Sequence, residues 1–294
     1  MSQVLQRNRH HRMSAAPTLK MLPWVVAAIA CLCGAAHAQP QEGGVKKLSP
    51  VTVTASTTRG AVEKSYRKMI AGMDLFERMH SLAPAASLRY KLLPRQPDTD
   101  MDRIELEVLG DTVAIPVRVA ADHTFTLERD SKAAAENAAV TPNRRAQSMT
   151  WRVDIRTPGL PPNTRRLGDM RLECLVGNEA GLISNPKPLI GHLARAFTAF
   201  VDYCNLEDTE YLFFAERPLF NVVMVNGARR EALPVDRLYA GASADPGLKS
   251  ALPYCDCEVL VDRTYYLPLG DKSWPDDTLV EFEYMDDDNV TASK

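Results

Sequence analysis

The residues best equipped for chemistry in this chain are cysteines. Six occur among 294 residues, and four of them, Cys174, Cys204, Cys255 and Cys257, lie in the second half. The Cys255-Asp256-Cys257 pair brings two thiols close enough to exchange disulfides or to hold a soft metal ion. Thiol redox work needs a depressed thiolate pKa, and Asp256 and Glu258 place negative charge where it raises that pKa. No thioredoxin-like strand-helix-strand pattern surrounds the pair. Structural bridges are therefore the expectation, and four cysteines allow three pairings. Closing Cys255 onto Cys257 strains a very short loop, which favours two long bridges to Cys174 and Cys204. The competing arrangement joins Cys174 to Cys204, a strand end to a helix end, and leaves Cys255 and Cys257 as an isolated dithiol.

Arginines form the second candidate. Arg144, Arg145, Arg152, Arg156, Arg165, Arg166 and Arg171 crowd a stretch whose only acids are Asp154 and Asp169. Strict alternation from Trp151 puts Arg152, Asp154 and Arg156 on one strand face, opposite Trp151, Val153 and Ile155. The Pro- and Gly-rich loop 158–163 presents Arg165 and Arg166 nearby. Arg152, Arg156, Arg165 and Arg166 are thus the anion-binding candidates, with anionic envelope glycans or lipid head groups as partners through bidentate guanidinium contacts. The alternative is a solvated face paired with the acidic remainder of the chain.

Other constellations fail on spacing. Asp98-x-Asp100-x-Asp102 begins like a calcium loop, but Arg103 stands at the turn glycine and Leu109 at the bidentate glutamate. His80, His123 and His192 lie far apart without paired-histidine spacing. No G-x-S-x-G elbow, Walker loop or dinucleotide fingerprint occurs. No metal, cofactor or catalytic residue is expected, and the chain reads as a non-enzyme. Its net charge of −2 argues against nucleic acid, whose binding requires basic charge.

What positions these residues begins with an address. Residues 1–20 carry Arg7, Arg9, Arg12 and Lys20 and no acid, Met21 to Gly34 form an apolar run, and Ala36-His37-Ala38 follows. This is the pattern of a secretory signal peptide cleaved after Ala38, leaving a periplasmic or envelope-facing protein. The apolar run is short for a membrane span, and no later stretch approaches the required length. A lipobox-like Ala28-Ile29-Ala30-Cys31 offers lipidation of Cys31 as an alternative. Loss of the four bases moves the net charge from −2 to −6.

Residues 39–60 read as a flexible polar leader. Within them Ser49-Pro50-Val51-Thr52-Val53-Thr54-Ala55-Ser56 resembles the TonB box of outer-membrane receptors. That resemblance implies strand addition to a periplasmic partner protein, although the rest of the chain supplies no barrel or plug. The other reading is a β-prone segment at a local sheet edge. Residues 61–85 carry an amphipathic helix, with Val62, Tyr66, Met69, Ile70, Met73 and Phe76 at helical spacing. Residues 86–177 follow as a β-rich module. Its strands fall at Leu88–Leu92, Ile104–Leu109, Thr112–Val119, Thr124–Leu127, Met149–Arg156 and Arg171–Val176, with a hairpin turn at Leu109-Gly110-Asp111 and a short helix or loop at Lys132–Ala139. A helical connector spans 178–205, centred on Pro188–Cys204. A second β-rich module covers 206–285 with an insertion at 238–257, and an acidic tail occupies 286–294.

The two β-rich stretches share an order of motifs. Gly110, Ile115-Pro116-Val117 and Asp122-His123-Thr124-Phe125-Thr126-Leu127 match Gly227, Leu233-Pro234-Val235 and Asp262-Arg263-Thr264-Tyr265-Tyr266-Leu267. The Gly-to-Pro spacings are 6 and 7, while Pro-to-Asp is 6 in one copy and 28 in the other. An internal duplication with an insertion and the chance recurrence of short β motifs are the two readings. These motifs resemble carboxypeptidase-regulatory-like and bacterial immunoglobulin-like β-sandwich modules, which implies binding or spacer modules of exported proteins. The fold class expected is mainly β with two helical segments, built as two β-sandwich-like modules.

Overall fold

The computed structural model describes residues 63–96, 98–145, 148–183, 203–206, 211–239 and 260–286. The signal region, the leader with its Val51–Ala55 segment, most of the Pro188–Cys204 stretch with His192, most of the 238–257 insertion with Cys255 and Cys257, and most of the acidic tail lie outside these residues. The described chain is mainly β, with four antiparallel open sheets. In chain order its elements are β1 (Lys64–Ser65), α1 (Tyr66–Arg78), β2 (Ser87–Pro94), β3 (Leu106–Leu109), β4 (Ala114–Val117), β5 (Thr124–Phe125), α2 (Ser131–Ala135), β6 (Ala139–Pro142), β7 (Met149–Arg156), β8 (Thr164–Arg166), α3 (Leu167–Glu179), β9 (Leu212–Phe214), β10 (Leu219–Asn226), β11 (Arg229–Ala232), β12 (Thr264–Tyr266) and β13 (Leu279–Tyr284). Among the described residues no helix is long and apolar enough to cross a membrane.

Local chemistry accounts for most boundaries. Ser65 caps α1 by accepting from the Lys68 amide, and Tyr66 and Met69 form its buried face as the helical spacing predicts. The Asp130 side chain caps α2 in the same way. The expected hairpin turn after Leu109 joins β3 to β4, with Leu109 opposite Ala114.

One expectation is overturned. Arg171–Val176 is not a strand but the middle of α3, a helix added to the expected one at α1, while most of the second expected helical segment lies outside the described residues. The reason is burial on all sides. Leu172 and Val176 join one hydrophobic core with Tyr66, Tyr90 and Trp151, while Leu167, Met170, Cys174 and Leu175 join a second with Tyr211, Tyr265 and Trp274. A helix serving two cores has no polar stripe, so its period is invisible and the sequence imitates a buried strand. Gly72 allows α1 to lie close to α3, since a Cβ there would stand 2.9 Å from that of Ala180.

Sheet connectivity in the two halves runs in parallel. The four-stranded sheets have the orders β1-β6-β3-β4 and β8-β13-β10-β11. In each, a short strand runs directly into a 13-residue helix. Lys64 and Ser65 pair with Val140 and Ala139, as Arg165 and Arg166 pair with Val280 and Leu279. The first helical amide then reaches the residue before the partner strand, Tyr66 to Ala138 at 3.0 Å and Leu167 to Thr278 at 2.9 Å. The smaller sheets are β5-β2-β7 and β12-β9. Phe125 stands opposite Tyr90 as Tyr265 stands opposite Phe213, so the Asp-x-Thr-aromatic motifs are in step. The aliphatic-Pro-Val motifs are not. Ile115 occupies the position of Glu231, two residues before Leu233, because Val108 and Met224 anchor equivalent hairpins.

Candidate functional site

The site begins at β7. Trp151, Val153 and Ile155 point into the first core as alternation requires, but Arg152 and Asp154 on the other face are only 4% and 6% exposed. That face is covered by the second half rather than by water. Arg152 donates to the Leu182 carbonyl at 2.6 Å and lies 5.5 Å from the ring centroid of Phe214. Asp154 accepts from Arg89 at 2.9 Å and from Arg156 at 2.7 Å. Burial alone would raise the Asp154 carboxyl, but Arg156, Arg165 and Arg89 outweigh it and hold it below its ordinary value.

Beneath this face lies a buried ion pair. Arg165 Nη2 donates to Glu173 at 2.6 Å and to the Ile155 carbonyl at 2.9 Å, while the Ile155 amide donates to Glu173 at 3.3 Å. The pair therefore offers Ile155 one donor and one acceptor, the complement a neighbouring strand would supply. It closes the β7 edge at that residue and ties β8 and α3 to it. Burial pushes the Glu173 carboxyl up against the opposing pull of Arg165, while Arg165 is held firmly charged by Glu173 and Asp154 despite its own burial.

Between the β2-β7 face and the β9-β12 ribbon opens a cleft of about 340 Å³. Leu93, Pro94 and Met101 line it from one side, and Leu212, Phe214 and Leu260 from the other. Its basic groups are Lys91, Arg152, Arg156, Arg165 and Arg263, joined by His123; its acids are Asp154, Glu173 and Glu216. Arg156 reaches Glu216 at 3.3 Å. Lys91 donates to the Asp122 carbonyl and Arg263 to the Glu216 carbonyl at 2.8 Å, while the carboxylates of Asp122 and Asp286 attract them without a hydrogen bond. The buried Nε atoms of Arg165 and Arg263 have no hydrogen-bond acceptor. Convergent guanidinium donors above an apolar wall suit an oxyanion carried on an apolar body.

Of the anion-binding candidates, Arg152, Arg156 and Arg165 come together in this cleft, two of them buried rather than presented on a loop. Arg166 does not join them. It donates to the Leu82 carbonyl at 2.9 Å and faces Asp169 at 3.9 Å. The neighbouring arginines are structural clasps. Arg144 bonds the Asp100 carbonyl at 2.8 Å, bracing the loop that imitates a calcium site. Arg171 gathers the carbonyls of Leu269, Asp271 and Trp274 together with the Asp276 carboxylate. Cys174 and Cys204 are joined in a disulfide, which pins a short turn at Tyr203–Asn205 to α3.

Sequence reasoning missed Lys91, Glu216 and Phe214, which carry no local signal. It had half the signal for two others. His123 and Arg263 are the middle residues of the two Asp-x-Thr motifs, and both line the cleft. Among the described residues no group of three His, Cys, Asp or Glu could hold a metal ion. Compared with family models, curated proteins and solved structures, the chain matches none.

Proposed function

We propose that this is an exported, envelope-facing binding protein made of two copies of one β module, and that the cleft between the β2-β7 face and the β9-β12 ribbon takes an anionic ligand without covalent chemistry. The basic N-terminus with its apolar run and Ala36-His37-Ala38 supports export. The shared sheet orders and registers support duplication, as does the placement of His123 and Arg263 in one cleft. The observation that carries the binding reading is the gathering of Lys91, Arg152, Arg156 and Arg263 in one cleft with an apolar wall. The resemblance of the sequence motifs to accessory modules of exported proteins points to binding rather than catalysis.

Calorimetric titration with glutarate, inorganic phosphate and glycerophosphate tests the reading. Binding that weakens tenfold or more in Arg263→Gln and Lys91→Gln, and falls with added salt, supports it. No heat with any of the three anions, or affinities untouched by both substitutions, refutes it.

One observation favours a second reading. With Cys174 bonded to Cys204, the remaining cysteines of the exported chain are Cys255 and Cys257. A C-x-C pair outside that bridge leaves thiol exchange or soft-metal binding open as an activity. Alkylation of the native exported protein followed by peptide mass mapping decides it: labelled Cys255 and Cys257 sustain this reading, and their mutual exclusion from label by bridges to other chains ends it.

A further inference from the structure

We infer that the anion cleft is a strand-addition site, and that its ligand is an extended acidic segment of another protein pairing with the open edge of β9. The inference rests on the anion-binding reading of the cleft and specifies the ligand.

Hydrogen-bond parity supplies the geometry. The Ala215 amide donates to the Arg263 carbonyl at 2.8 Å, so residues 213 and 215 turn their peptide groups toward β12. By alternation, Leu212 and Phe214 turn theirs the other way. Among the described residues no strand pairs on that side of β9, and both residues line the cleft. Across the cleft the same parity applies to β7. Ile155 directs its peptide groups to Glu173 and Arg165, so Val153, two residues back, directs its own outward, and Val153 also lines the cleft. The cleft is therefore bordered by strand edges whose outward peptide groups meet no other strand among the described residues.

The first half shows what occupies such an edge. There β2, which holds the place of β9 in its sheet, is flanked on both sides, by β5 and by β7. Among the described residues β9 has β12 on one side and the cleft on the other. The occupant's charge follows from the lining, in which five cations face three carboxylates and the hydrogen bonds of Lys91 and Arg263 go to carbonyls. A segment alternating acidic and apolar residues would place carboxylates toward these cations and apolar side chains on the other face.

The test uses the full exported chain and a capped hexapeptide of alternating valine and glutamate. Two further versions carry N-methyl groups, one on the valines and one on the glutamates, and a control replaces glutamate by lysine. The expected results are binding of the acidic peptide, at least tenfold loss in one N-methylated version, no binding of the lysine control, and slowed amide exchange at Leu212 and Phe214. Equal binding of both N-methylated versions, or unchanged exchange at Leu212 and Phe214 while glutarate still binds, overturns strand addition and leaves the anion cleft standing. Failure of glutarate and peptide alike overturns both.

Discussion

Glu173 and Arg165 offer the sharpest test of how the halves are joined. Replacing Arg165 by Met leaves the Glu173 carboxylate buried without its cation, and breaking a buried pair in this way costs about 3–5 kcal/mol. It also strips the donor from the Ile155 carbonyl, and an unsatisfied buried acceptor adds about 1–3 kcal/mol. Against a total stability of about 5–15 kcal/mol this is a large fraction. Glu173→Leu produces the mirror defect, an uncompensated guanidinium and an orphaned Ile155 amide. In the double variant Arg165→Met/Glu173→Leu no charge is stranded, and only the two Ile155 backbone groups remain unmatched. The double variant should therefore be at least about 2 kcal/mol more stable than the two single losses added together. Urea titrations followed by circular dichroism, with unchanged m values, measure all three. If the single variants each lose less than about 1 kcal/mol, the size of an exposed pair, the buried-pair reasoning is refuted. Strict additivity would refute it equally.

Reducing the Cys174–Cys204 bridge, which closes a separation of 30 residues, should lower stability by about 3–4 kcal/mol on loop-closure entropy; an unchanged urea midpoint in dithiothreitol would contradict this. Asp154 is held below its ordinary value, so its contribution is complete above the unfolded carboxylate pKa of about 4 and is lost as pH falls through the folded value. Glu173, shifted upward, acts in the opposite sense, losing its contribution as pH rises through its folded value. Asp154→Asn should therefore flatten the fall of the urea midpoint in the acid range, and parallel curves would count against it. Gly168→Ala drives a Cβ into the Leu82 carbonyl and within 3.0 Å of that of Asp276, and should destabilise by about 1–3 kcal/mol. Glutamine at the exposed Lys132 should cost far less, and equal midpoints for the two variants would show that the loop yields.

How much of this was legible depends on what each residue reports locally. β7 could be read from alternation alone, since Trp151, Val153 and Ile155 face a core. What alternation could not report is that its second face is also covered, because Arg152 and Asp154 look like solvent-facing residues until Leu182, Phe214 and Arg89 are brought to them by the fold. α3 was hidden for the opposite reason: Leu172, Cys174 and Val176 report burial without a period. The Cys174–Cys204 bridge overturns the favoured pairing of these two cysteines with Cys255 and Cys257, because spacing along the chain carries no distance and the competing arrangement was the one the fold made. The cleft lies between strands that are distant in the chain, β7 and β9 being 56 residues apart at their nearest, and only the paired Asp-x-Thr motifs, one placing His123 and the other Arg263, hinted that these strands meet.

Strand edges give the strongest reason to look for a partner at β9. An unpaired edge is an aggregation hazard that folded chains usually block. β4 carries Pro116, which lacks an amide donor. β11 is fully exposed but carries Arg229, Arg230 and Glu231 in succession. At β7 the edge is matched at Ile155 by the Arg165–Glu173 pair, a device that buries two charges to satisfy one residue's backbone. β9 has none of these defences along its own length, only Leu212, Phe213 and Phe214. Glu216 follows β9 by two residues and is held by Arg156, while the basic charges stand across the cleft or on the β12 side, where they repel a basic strand and admit an acidic one. An edge closed to most sequences but open to one kind of segment is what selective strand addition requires, whereas simple protection of the edge would need only a proline or a lysine in β9 itself.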